Sequence, residues 1–469
     1  MRLYALRILA AIAVGGWMLT GADAGAAAGA ARPERPPDGR RPWGRRPRPT
    51  EQEPQTPRPE TPTPSPPLID PSLLDDQPKP PEEPQRKTCL SIKDQAFLIN
   101  DKPTYPGRLY RGPRTETVKA EERKEYKLEG LLFSARLVNG IFDDLNPATR
   151  SRWAYTDGPW DPERNTRDFI KAMPVWRYHG LSAFSLNLQG GSPEGSSSTL
   201  PWQNSAYTRD GRLRADYMKR LEAVLDEADQ QGLVVILGLF SPGQDQQVWD
   251  ERSVLQAVDN AVDWLLKHQY THVLVEVADA CDNRQYDHKI LTEDRVHELV
   301  ERVAKRSEGK VDSPAGRLLV GASMDGGSLP PTELLREADV ALLQGIGVEE
   351  PDRLRRLIQH TRGRMGSRLK PILVTADEHA DFSQPDSNLL AAVTEYAGWG
   401  FADWRREGES YRQGFQSLPV DWRLNSLRKY AFFRFLATLT RRPPPSMNEH
   451  VREELRNRQR AERAARSGE

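Results

Sequence analysis

Leu233-Val234-Val235-Ile236-Leu237-Gly238-Leu239-Phe240 and His272-Val273-Leu274-Val275-Glu276-Val277-Ala278 decide the fold of this chain. Each is a short, nearly continuous aliphatic run, the composition of a strand covered on both faces. Between them Val254, Leu255, Val258, Ala261, Val262, Leu265 and Leu266 recur at helical spacing. Strand, helix and strand in that order require parallel pairing through a crossover.

The rhythm continues in both directions. Similar runs at residues 128–133, 181–188, 318–323, 339–344, 371–375 and 396–401 bring the count to eight. Tyr217, Leu221, Val224, Leu225 and Ala228 form a second helical stripe, and Val296, Leu299, Val300 and Val303 a third, with Thr292 ahead of it as a cap candidate. Gly180 and Gly232 stand between a helix and the next strand, where a residue with positive φ is expected. Eight units predict an α/β protein with a closed (β/α)8 TIM barrel over residues 125–441. The alternative is an open doubly wound sheet, but no phosphate-binding glycine pattern follows an early strand. Ahead of the barrel, residues 88–124 read as a capping segment. There Ala96-Phe97-Leu98-Ile99 and the turn Asn100-Asp101 predict a hairpin. Residues 442–469 open with Pro443-Pro444-Pro445 and continue as an Arg- and Glu-rich tail, read as an exposed helix.

The first 24 residues have a different logic. Arg2 and Arg7 precede an apolar stretch over residues 8–18, and Ala22-Asp23-Ala24 is a small-x-small site. That is the pattern of a secretory signal peptide, so export to the periplasm, cell envelope or extracellular space is expected. An uncleaved anchor is the alternative. Residues 25–87 form a proline-rich linker, with 18 of the chain's 38 prolines between positions 31 and 87. So few apolar residues accompany them that a disordered or polyproline-like tether is expected. Its Arg32–Arg48 half is basic, which allows cell-envelope association through an anionic polymer or lipid; a solvated spacer is the plainer reading.

Composition narrows the function. The 469 residues carry 67 Lys and Arg against 67 Asp and Glu, so zero net charge gives no general case for nucleic-acid binding. Two cysteines, Cys89 and Cys281, exclude a disulfide scaffold and a Cys-rich zinc module. The two could pair in an oxidising compartment, but one precedes the barrel and the other tops its fourth strand. No Gly-x-Ser-x-Gly, His-Glu-x-x-His or Gly-Lys-Ser/Thr pattern is present, and no cofactor or metal is called for. His379 with Asp377, Glu378 and Asp381 is an acidic loop before it is a metal cluster.

In a barrel, chemistry sits at the C-terminal ends of the strands. Asn187 and Gln189 end the second strand, Asp279 and Asp282 follow the fourth, Asp325 the fifth, Gln344 the sixth, Asp377 and Glu378 the seventh, and Trp399 falls in the eighth. Trp153, Trp160, Trp202, Trp249 and Trp404 lie in loops after strands. Tryptophan faces pack on the C–H faces of sugar rings while amides and carboxylates bond hydroxyls, so this rim reads as a carbohydrate groove. Glu276, inside the fourth strand, reads as a buried, hydrogen-bonded structural carboxylate.

The stretches GIFDDLNPATRSRWAYTDGPWDPERNTRDF, LNLQGGSPEG, VILGLFSPGQD, VLVEVADACDN and GFQSLPVDWRLNSLRKYAFF carry a resemblance over most of residues 95–440. The chain resembles the cellulase-type superfamily of retaining glycoside hydrolases, all (β/α)8 barrels, and more closely an exported bacterial family within it. The resemblance implies an acid/base Glu at the end of strand four and a nucleophile Glu at the end of strand seven, about 5–5.5 Å apart. Ala280 and Ala376 occupy those positions here, and Gln344 replaces a His at strand six. Trp399 matches the superfamily's strand-eight Trp. A methyl group can neither protonate a leaving oxygen nor attack an anomeric carbon.

The leading expectation is therefore a carbohydrate-binding pseudoenzyme that takes a poly- or oligosaccharide through Trp399, Asn187, Gln189, Asp279, Gln344, Trp160 and Trp202. An active hydrolase on a β-linked glycan would need displaced carboxylates, from Asp279, Asp325, Asp377 and Glu378. A structural or protein-interaction module of the envelope is the third reading.

Overall fold

The computed structural model describes residues 85–112, 124–190 and 201–467. The signal peptide and nearly all of the proline-rich linker lie outside them.

Eight parallel strands form the barrel: β6 Phe133–Arg136, β7 Ala183–Asn187, β8 Val234–Phe240, β9 Val273–Ala278, β10 Leu319–Gly321, β11 Ala341–Gln344, β12 Ile372–Asp377 and β13 Gly398–Phe401. They are hydrogen-bonded in the order β10-β9-β8-β7-β6-β13-β12-β11, and a parallel bridge between Ser323 and Leu342 joins the two ends of that series. Helices α1 Pro162–Tyr178, α2 Ala215–Gln231, α3 Glu251–Lys267, α4 Val296–Ser307, α5 Thr332–Glu337, α6 Pro351–Met365, α7 Asn388–Thr394 and α8 Leu427–Thr440 connect the strands and close the circuit. A last helix, α9 Glu449–Ser467, follows the barrel. The two glycines expected at strand entrances do carry positive φ, 104° at Gly180 and 68° at Gly232.

The barrel is plugged from below. β1 Leu90–Lys93, β2 Ala96–Ile99 and β3 Lys102–Pro103 make an antiparallel sheet ahead of it. The Asn100-Asp101 turn has φ of 52° and 61°, the doubly positive geometry of a tight hairpin whose twist matches its strands. Leu90 and Phe97 from this sheet join Leu132, Ala183, Val234, Ile236, Leu274, Leu319, Leu342 and Leu373 in one inner core. β4 Leu109–Arg111 and β5 Glu125–Lys127 form a separate two-stranded ribbon.

Two strands depart from the sequence reading. The first barrel strand is Phe133–Arg136, not residues 128–133, because Glu125–Lys127 pairs with β4 and the chain enters the barrel only afterwards. Its inward positions hold Ser134 and Arg136, which break the apolar run that marks the other strands. β12 runs two residues past the expected 371–375, with a register shift against β13 between Val374 and Asp377.

Candidate functional site at the barrel mouth

Strand alternation places Ser134 and Arg136, Ser185 and Asn187, and Leu274 and Glu276 on the interior. The lower layer is apolar and the upper one polar. Asn187 leans across β8 at Gly238, where a Cβ would lie 2.3 Å from the Asn187 Oδ1 atom, so any larger residue would have to displace that side chain.

At the centre, Arg136 from β6 forms an ion pair with Asp279, just beyond β9. Their relative exposures are 6% and 4%. Gln344 at the end of β11 donates its Nε2–H to Asp279 Oδ1 at 2.7 Å, and the Ser323 hydroxyl lies 3.4 Å from the same oxygen. The Tyr286 hydroxyl donates to the Asp279 carbonyl at 2.7 Å. Three residues below, Glu276 is fully buried, and neither of its oxygens makes a hydrogen bond of good geometry, the Ser323 hydroxyl being a nearby donor. Burial first, and then the Asp279 charge, push its carboxyl up to about 7, against the pull of Arg136. One guanidinium thus faces two buried carboxylates, and the arrangement favours the protonated form of Glu276. The sequence reading of Glu276 as buried holds, and of the expected hydrogen-bonding groups the Ser323 hydroxyl comes near enough to favour its charged form.

Ala280 and Ala376 sit beside this network. The Ala280 amide donates to Ser323 Oγ at 3.0 Å, and its φ is 48°. Ala376 pairs with Gln344 across β11 and β12 and has no exposed surface.

The four displaced-carboxylate candidates have separate engagements. Asp279 is tied to Arg136 and Gln344. Asp377, fully buried, accepts from the His379 amide at 3.0 Å and the Trp399 Nε1–H at 3.2 Å, with His379 Nδ1 at 2.6 Å. The hydrogen bond to Asp377, above all, raises His379 to about 9. Asp325 accepts from the Gly326 amide at 2.8 Å in its own loop and from Asn283 Nδ2 at 3.3 Å in the loop after β9. Glu378 is exposed.

The aromatic and amide residues expected to line a groove are covered. Trp399 has no exposed surface. It shares the outer side of β13 with Phe401, and both rings pack on Phe382 and on Phe432 of α8. Trp153, 0% exposed, meets Trp160 edge-on at 5.4 Å and Trp202 at 6.5 Å, and Tyr155 stacks on Trp160. The Trp160 indole donates to Asp143 at 3.0 Å. These rings anchor loops through one another. Of the loop tryptophans, Trp249 alone is mostly exposed, at 67%. Asn187 and Gln189 are buried, and the Gln189 amide donates to Ser205 Oγ at 2.9 Å.

Sequence reasoning missed Arg136 and His288. Arg136 could have been found from the Ser134-x-Arg136 alternation, which puts a cation on the inner face of a strand. His288 leaves no local signal. Its Nδ1 sits 2.9 Å from the fully buried Asp245 carboxylate, whose hydrogen bond raises the imidazole above its ordinary value. Asp245 also accepts the amides of Asp287 and His288. Several further polar atoms at this level are buried without partners: Ser134 Oγ, Arg136 Nη1, Ser185 Oγ, Asn187 Oδ1, Gln189 Oε1 and Gln244 Nε2. Both donors and acceptors are among them. Among the described residues no group of three or more His, Cys, Asp or Glu is placed to hold a metal ion.

No family model matches the chain, and no curated protein matches it. Solved structures do overlap with it. The β-mannanase of the blue mussel Mytilus edulis has 10% identity and a TM-score of 0.42, covering 77% of this chain and 98% of the mannanase. A family 5 glycoside hydrolase from Bacteroides vulgatus ATCC 8482 has 12% identity and a TM-score of 0.39, covering 67% and 68%. The β-glucuronidase of Bifidobacterium dentium has 14% identity and a TM-score of 0.40, covering 76% of this chain and 50% of that one. The chain thus spans about half the length of the glucuronidase. These similarities assign no residue a role.

Proposed function

We propose that this is an exported, catalytically degenerate barrel of glycoside-hydrolase type, tethered by its proline-rich segment, whose role is to bind carbohydrate rather than cleave it. One observation carries the loss of catalysis. Alanines stand at residues 280 and 376, and the nearest carboxylates, Asp279 and Asp377, are committed to Arg136 with Gln344 and to His379 with Trp399. A retaining mechanism needs two carboxyls facing one scissile bond. Support for sugar binding is the set of unpartnered amide, hydroxyl and guanidinium atoms below the mouth, which a ligand's hydroxyls would satisfy. The burial of the same side chains favours the rival reading, a structural or protein-interaction module of the envelope.

The test is paired. The purified chain is incubated with aryl-β-glycosides and β-linked polysaccharides, and it is applied to a glycan array alongside Asn187→Ala and Gln344→Ala. Glycan binding without turnover, weakened in both variants, is expected. Turnover that Asp279→Asn abolishes would establish the displaced-carboxylate hydrolase. An empty array beside a co-purifying protein would establish the interaction module.

A further inference from the structure

The helix after the barrel carries a surface that the mouth does not explain. Its first turns are fixed to the body: Val451 is fully buried, and Glu454 Oε2 accepts from Gln413 Nε2 at 3.0 Å and from the Leu427 amide at 2.9 Å. Beyond Leu455 the described side chains are exposed as far as Ala465. Arg452, Arg456, Arg460 and Arg463 follow i, i+4, i+8 and i+11, which brings them onto one strip of the helix; the exposed Glu449 and Glu453 share that side only at its first turn, and the strip beyond them is cationic. All four are exposed, and among the described residues none of the four guanidinium groups has an ion-pair or hydrogen-bond partner. At about 1.5 Å per residue the strip is roughly 16 Å long, with one cation about every 6 Å.

We infer that α9 is a docking arm for a linear anionic polysaccharide, with the four guanidiniums spaced along successive acidic sugars. Charge complementarity identifies the occupant. Guanidiniums present a planar fork that matches carboxylate and sulfate oxygens, and a rigid helix holds them in a row for a polymer with repeating charge. A lipid surface is a poorer partner, because Val451 and Leu455 are the only large apolar residues of α9 and Val451 is already buried, leaving no apolar face to insert. A single-stranded nucleic acid is a poorer one too, because α9 has no Trp, Tyr or Phe on which bases could stack, and its one imidazole, His450, precedes the strip. The inference shares the export reading but uses no residue of the mouth, so either can fail alone.

The experiment uses the full chain and polygalacturonate, followed by affinity electrophoresis and titration calorimetry at low and moderate salt. Neutral dextran, duplex DNA and anionic phospholipid vesicles are run in parallel. Polygalacturonate should bind and weaken with salt, and the quadruple change R452Q/R456Q/R460Q/R463Q should weaken it at least tenfold. The quadruple Arg→Lys variant should stay within a few-fold of the parent, which separates charge from helix integrity. Equal binding by parent and Gln variant, equal loss in the Lys and Gln variants, no binding at low salt, or tighter binding to DNA or vesicles would each overturn the assignment. Neutral glycan binding in the Gln variant tests the mouth separately.

Discussion

Arg136 and Asp279 meet across the barrel mouth as an ion pair almost wholly withdrawn from water. Such a pair gains little over an apolar substitute, yet breaking one half strands the other. Asp279→Ala should destabilise the chain by about 3–5 kcal/mol, and an Arg136→Met, Asp279→Leu double change should recover most of the loss. Urea midpoints of the parent and the two variants check it. A single change costing nothing would mean that water reaches the pair.

Glu276 supplies a pH dependence of opposite sign to most acids. Its folded value is about 7 against an ordinary 4.5, because burial and Asp279 disfavour the charged form. The folded state therefore holds this proton more tightly than the unfolded chain, and stability falls as pH rises from the ordinary value through 7. Glu276→Gln should raise the unfolding midpoint more at pH 8 than at pH 5. An equal effect at both would place the titration elsewhere.

His379 acts between higher limits. Its folded value is about 9 against 6.5, held up by Asp377 and then by Glu349 at 3.4 Å. The contribution is complete below 6.5 and disappears as pH climbs through 9. His379→Gln should narrow the difference in stability between pH 6 and pH 10. An NMR titration of the imidazole reads the value directly.

Gly238 tests the close contact on the second and third strands. A methyl group there would stand 2.3 Å from Asn187 Oδ1. Gly238→Ala should cost about 1–3 kcal/mol, the usual penalty of overpacking, and Asn187→Ala in the same chain should relieve part of it. Additive effects would show that the two positions do not touch.

Trp399 separates a core residue from a sugar platform. With no exposed surface and rings on several sides, Trp399→Ala should lower stability by about 3–5 kcal/mol. Glycan affinity of the folded fraction should be unchanged. Lost affinity at full stability would restore the platform reading.

The strands were legible where they were apolar. β8 and β9 fall within a residue of the expected runs because their outward positions are all aliphatic and, Gly238 and Glu276 apart, their inward ones are apolar. β6 escaped because Ser134 and Arg136 interrupt it, and that interruption is the polar upper layer of the barrel itself. Asp279, Gln344 and Asn187 do stand at strand ends, since strand ends are set by the fold. Residue identity could not reveal their burial. That depends on Arg136 filling the centre and on tryptophans turning toward one another, both matters of packing between distant segments.

Leu90 and Phe97 stopper the barrel's lower end, with the Leu90 amide bonded to the Thr271 carbonyl and the Phe97 amide to that of Gly130. The stopper is translated before any strand it seals, and the farthest of its companions, Leu373, lies more than two hundred residues downstream. During synthesis this greasy hairpin must wait unshielded for its socket, which makes it an aggregation hazard in nascent chains and a natural client for a holding chaperone. Removing it would leave the barrel draughty at the base.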